Sequence, residues 1–128
     1  MSESFIERKI VIGLITSTEF VKQIRRIYKS RFLISSMAKR ISSWCIEYYD
    51  DYDSAPGKVI ESIFMEKLKG GLNKDLAEEI EEDIFPELSK EYENSKTDIR
   101  YLVKITQKYF HLGKYRIWEN INRCFFND

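Results

Sequence analysis

Two cysteines, two prolines, five glycines and one histidine in 128 residues rule out several kinds of protein at once. Cys45 and Cys124 are too few for a disulfide framework or a zinc site. Scarce glycine and proline, with few alternating Val/Thr-rich runs, point away from sheet and toward helices. The single histidine, His111, supplies neither a Cys–His pairing within reach by sequence nor an HExxH motif, and no glycine-rich phosphate loop is present. Excess charge is also missing. The 21 Lys/Arg balance 21 Asp/Glu, whereas a nucleic-acid module is usually basic overall. No run approaches the ~20 apolar residues of a membrane span. The first residues carry Glu3 and Glu7, and Glu7-Arg8-Lys9 breaks the apolar run, unlike a secretory leader. A cytoplasmic protein without membrane contact is expected.

What is present suits a single folded domain. The chain is 43% hydrophobic, enough for a core, and 14% aromatic with 8 Tyr and 8 Phe. Most of these rings belong in a core, and some are available to a partner surface. The charge is unevenly placed. Residues 1–40 carry nine Lys/Arg against three Asp/Glu, residues 41–100 seven against sixteen, and residues 101–128 five against two. Most of this charge coats solvated helix faces, but opposite-sign surfaces also allow copies of a domain to dock.

The stretch from Ile34 to Tyr52 organises the rest. Ile34, Ala38, Ile41, Cys45, Tyr48 and Tyr52 recur at steps of four and three, which places them on one side of a helix. Met37 and Trp44 widen the stripe, and Ser35 or Ser36 can cap its start. Upstream, Ser4 and Glu7 match a capping box that opens a helix to about Ile15. Gly13 within it costs ~1 kcal/mol against Ala, which a close helix crossing would offset. Ser17 can cap a helix from Thr18 to Ile27, with Phe20, Val21, Ile24 and Ile27 inward. Lys22, Arg25, Arg26 and Lys29 face out without an evident acid opposite. Phe32 and Leu33 tuck into the core from a connector.

After Pro56-Gly57, Val59, Ile60, Ile63, Phe64 and Leu68 define a fourth helix that stops at Gly70-Gly71. Asn73 caps a fifth, with Leu76, Ile80, Ile84, Leu88 and Tyr92 as its stripe. Pro86 should kink or split it near Phe85. Its acids include Glu78/Glu82 and Glu79/Asp83 at i,i+4, a spacing that can hold a divalent cation. No ExxH accompanies them, so a solvated face or a surface for a basic partner is the better reading. Thr97 or Asp98 caps a last helix from Ile99, in which Gly113 marks a possible bend point. Its apolar residues occupy more than one face, more than a small domain covers, so a partner helix is expected. The run Cys124-Phe125-Phe126-Asn127-Asp128 reads as a boundary within a longer chain.

The order of landmarks resembles the N-terminal domain of replicative DNA helicases of the DnaB type. Glu7-Arg8-Lys9-Ile10-Val11-Ile12-Gly13-Leu14-Ile15 is similar to that family's opening helix. Phe32 with Ala38-Lys39-Arg40-Ile41 resembles its next core helix, Tyr48-Tyr49 with Ala55-Pro56 its proline-bearing turn, and Asp98-Ile99-Arg100-Tyr101-Leu102-Val103 its late helix. The resemblance spans roughly residues 5–120 and lies in apolar positions, not in a catalytic signature. Two departures stand out: Ala38-Lys39 replaces a frequent histidine, and the acidic helix around Pro86 is long. These suit a phage, prophage or plasmid relative, or a different helical adaptor.

The resemblance implies a non-catalytic scaffold that forms homo-oligomers, either dimers or a ring collar, and docks primase or a helicase loader. DNA is reached through the full-length protein. No cofactor is implied here; ATP and Mg²⁺ belong to a separate ATPase domain. The expected fold is all-α: a compact bundle of about six helices, with residues 1–98 as its globular part and the last helix, in residues 99–128, starting a helical hairpin arm. Tyr101, Ile105, Tyr109, Leu112, Tyr115 and Trp118 are the candidate self-association residues. The alternative is a helical DNA-binding regulator that uses Arg25, Arg26 and Lys29, supported by Lys22, Arg31, Lys39 and Arg40.

Overall fold

A computed structural model describes the backbone of residues 3–94 and 98–126, and the side-chain environment of residues 5–92 and 98–114. The helices are α1 (Glu3–Thr16), α2 (Thr18–Ile24), α3 (Ser36–Tyr52), α4 (Val59–Lys69), α5 (Lys74–Asp83), α6 (Phe85–Asn94) and α7 (Ile99–Phe126), with one 3-10 turn at Ser30–Phe32. Among the described residues there is no strand. The protein is an all-α bundle. No described helix is long and apolar enough to cross a membrane.

Local chemistry sets most of the boundaries. Ser17 Oγ accepts from the Phe20 N–H at 3.1 Å and Ser35 Oγ from the Ala38 N–H at 3.2 Å. Asn73 Oδ1 accepts from Asp75 and Leu76, and Asp98 Oδ1 from Arg100 and Tyr101. Each satisfies donors that an α-helix leaves unpaired at its start. At the end of α4 the Leu72 N–H reaches Lys67 O and the Gly71 N–H reaches Leu68 O. This pairing requires a left-handed residue, and Gly71 adopts φ +99. Pro86 divides the long acidic segment into α5 and α6 and sits in the first turn of α6, where a missing N–H costs least.

Helix α1 is central and packs against α2, α3, α6 and α7. Ile10, Val11, Leu14 and Ile15 are wholly buried. A Cβ on Gly13 would lie 2.7 Å from Leu102 Cδ2 and 2.9 Å from Phe20 Cδ2, so the expected close crossing with α7 is present. Gly113 does not interrupt the helix, because α7 runs through it. Its Cβ would stand 3.2 Å from Phe32 Cα and O, so glycine there lets α7 approach the backbone of the connector. The late helix is one continuous helix of 28 residues, or roughly 40 Å along its path at 1.5 Å per residue.

Several local expectations yield to long-range packing. Helix α2 stops at Ile24, so Ile27 is exposed instead of inward. Ile34 and Tyr52, the ends of the α3 stripe, are exposed, Tyr52 to 66%. The buried face of α3 centres on Met37, Ala38, Ile41, Trp44 and Cys45. On the acidic pair of helices Ala77, Ile80, Ile84 and Leu88 are buried, while Tyr92 is exposed.

The Ser4–Glu7 capping box is replaced by something less local. Helix α1 already begins at Glu3, and Glu7 points inward, 1% exposed. Its Oε2 accepts from the Ile34 N–H at 2.8 Å, and its Oε1 from the Ser35 N–H at 2.9 Å. Tyr109 Oη, on α7, donates to Oε2 as well. One carboxylate therefore ties α1 to the N-terminus of α3 and to the middle of α7. A buried carboxylate is costly unless hydrogen-bonded, and a helix N-terminus favours negative charge. Both conditions are met here. Among the described residues no buried side-chain N or O lacks a partner.

Candidate functional site

Helix α7 turns two different faces to its surroundings. Leu102, Val103, Thr106, Tyr109, Phe110 and Gly113 face the bundle and are buried. On the opposite face Tyr101 is 60% exposed and Leu112 57%, with Ile105 half-buried between them. Tyr101, Ile105, Lys108 and Leu112 follow steps of four, three and four, which is one helix stripe. Lys104 and Lys108 are both exposed beside the apolar groups. Of the six residues expected to mediate self-association, Tyr101, Ile105 and Leu112 share this surface. Tyr109 does not: it is 4% exposed and its hydroxyl is used by Glu7. The side chains of Tyr115 and Trp118 lie outside the described residues.

The basic surface of α2 is less open than its sequence suggests. Lys22, Arg25, Arg26 and Lys29 are all exposed. Arg25, however, has an acid opposite. Its Nε donates to Asp50 Oδ1 at 2.9 Å and its Nη2 to Asp50 Oδ2 at 3.1 Å. This two-point bond raises the guanidinium pKa and holds the Asp50 carboxyl below its ordinary range. Arg31 lies over the Phe32 ring at 5.8 Å. Arg26 and Lys29 remain solvent-facing.

The acids of α5 and α6 do not converge. Among the described residues no group of three His, Cys, Asp or Glu is arranged to hold a metal ion. Glu78, Glu79, Glu81 and Glu82 are exposed along the outer face of α5. Cys45 is buried among apolar side chains, and that burial pushes its thiol far above the ordinary range. A thiol so placed is a packing group, not a nucleophile.

A trough that the sequence did not announce runs between α3 and α4. Trp44, Tyr48 and Tyr52 form the α3 side, with Val59 and Ile63 opposite on α4. Its volume is about 290 Å³. The Tyr48 and Tyr52 rings lie against each other, tilted by 42°, with centroids 4.6 Å apart. Glu47, Asp51 and Glu66 stand along it, and Lys67 is the only cation among its lining residues. The connecting loop is held elsewhere. The Gly57 N–H bonds Ile15 O at 2.7 Å and the Ala55 N–H bonds Thr18 Oγ1 at 3.0 Å. That anchorage ties the turn to the α1–α2 junction while the furrow beside it stays open. The sequence shows the aromatic end of the α3 stripe and, after the turn, Val59; that Tyr52 and Val59 are exposed and line one trough is visible only in the structure. A smaller notch of about 220 Å³ lies by Phe5, Arg8, Ile12 and Glu87, and Lys9 Nζ covers the Phe5 ring at 5.4 Å.

Among the described residues the arrangement offers exposed apolar and charged surfaces. Neither a family model, nor a curated protein, nor a solved structure matches the chain.

Proposed function

We propose that this chain is a helical interaction domain that self-associates through the outward stripe of α7. One observation carries the reading: Tyr101 and Leu112, 60% and 57% exposed, lie on one helix face with Ile105 between them. Large apolar groups lined up on one face mark a contact surface, whereas scattered ones do not. In its specific form, the domain is the N-terminal scaffold of a DnaB-type replicative helicase. It works in the cytoplasm, and primase or a loader docks on the oligomer it forms. The support is the order of apolar landmarks together with an all-α fold whose last helix exposes Tyr101 and Leu112. ATP chemistry and DNA translocation belong to the parent enzyme in this reading.

Sedimentation velocity over a wide concentration range tests it. The expected result is a concentration-dependent shift to larger species, lost in Leu112→Glu. A strict monomer at the highest concentration removes the proposal. The competing DNA-binding reading rests on exposed Arg26, Lys29, Lys22 and Lys39. It requires affinity that falls steeply with salt, so a flat titration against duplex DNA at low salt eliminates it.

A further inference from the structure

Building on self-association through α7, we propose that the receiving surface is the α3–α4 trough of a second copy, so that copies join head to tail. The walls of the trough carry the first argument. Trp44, Glu47, Tyr48, Asp51 and Tyr52 follow steps of three, one, three and one on α3, and Val59, Ser62, Ile63, Glu66 and Lys67 repeat that pattern on α4. Two helices that turn the same kind of face into an open furrow form a seat for a third helix.

Charge identifies which helix. Glu47, Asp51 and Glu66 make the trough acidic. Among the described residues these three carboxylates form no ion pair. The α7 stripe has the complementary composition: apolar Tyr101, Ile105 and Leu112 interleaved with Lys104 and Lys108. The other basic surface does not qualify. The apolar face of α2 is buried at Phe20, Val21 and Ile24, which leaves that surface the single anchor Ile27, 37% exposed, where α7 presents Tyr101 and Leu112 on one stripe. Nor can α7 fill the trough of its own chain, because its inner face packs on α1, α2 and the 3-10 turn. Donor and receiver are therefore separate surfaces of one molecule. Such a contact is heterologous and propagates into a ring or an open chain, unlike a two-fold pair. A small, charged contact of this kind weakens as salt rises.

Complementary variants test the geometry. Leu112→Glu disables the donor, and Val59→Glu disables the receiver. Both residues are exposed, and thermal melts by circular dichroism check that each variant folds. Each alone should be monomeric in sedimentation velocity, and an equimolar mixture should give a 1:1 dimer and nothing larger. The charge swap of Lys104→Glu and Lys108→Glu with Glu47→Lys and Asp51→Lys should likewise restore association only in the mixture. If Val59→Glu associates like the parent while Leu112→Glu does not, α7 has another receiver: the head-to-tail inference fails and the self-association reading stands. A mixture that remains monomeric also overturns the inference. A parent that never associates overturns both.

Discussion

Replacing Glu7 should cost more than replacing any exposed acid on this protein. Glu7→Ala removes the acceptor for three donors at once, namely the N–H groups of Ile34 and Ser35 and the hydroxyl of Tyr109. Each buried donor left unpaired costs roughly 1–3 kcal/mol, but the three are coupled and water can enter the vacated space, so a total of about 3–5 kcal/mol is expected. That is a large share of the ~5–15 kcal/mol that holds a domain together. At an unfolding entropy of ~2 cal/mol/K per residue, the melting temperature should fall by roughly 10–20 °C. Tyr109→Phe leaves both backbone donors satisfied and should cost only about 1–2 kcal/mol. Glu7→Gln is not a neutral swap, since its amide nitrogen is a donor facing a donor, and about 2 kcal/mol is expected. Urea titrations of the two single variants and the double variant give the coupling. Tyr109→Phe should cost almost nothing once Glu7 is Ala. Additive losses, or a Glu7→Ala loss below ~1 kcal/mol, would refute the idea that one carboxylate holds three helices together.

Three further outcomes are expected. Gly13→Ala should destabilise, because overpacking of about 1–3 kcal/mol against Leu102 and Phe20 outweighs the ~1 kcal/mol gain in helix propensity; a stabilised variant would show the crossing to be loose. In a Cys124→Ser background, Cys45 should react with a thiol reagent no faster than the protein unfolds, and a fast native phase would contradict its burial. The Asp50 carboxyl is depressed by the Arg25 hydrogen bond, so its stabilisation is present above the ordinary carboxylate range and is lost as pH falls through the lowered folded value; the melting-temperature gap between the parent and Asp50→Asn should therefore close in acid, and a constant gap would argue against the pair.

What the sequence determined alone is local. Ser17 and Asn73 lie where helices begin, since a cap acts on N–H groups two or three residues away, and the pairs Ser35-Ser36 and Thr97-Asp98 mark two more starts, at which the structure uses Ser35 and Asp98. Gly71 and Pro86 end and split helices through their own backbone chemistry. The 3.6-residue period placed Ala38, Ile41, Cys45, Phe64, Ile80 and Leu88 inside. Only the tertiary structure decided the rest. Glu7 and Tyr109 are 102 positions apart, and no pattern within one helix shows that they meet. Tyr109, Tyr101 and Leu112 look alike in a sequence, and which of them faces the core depends on how α7 rolls against α1 and Phe32. The pairing of Arg25 with Asp50 and the trough between α3 and α4 also come from packing: the first needs α2 laid beside α3, and the second follows from a loop tied to Ile15 and Thr18.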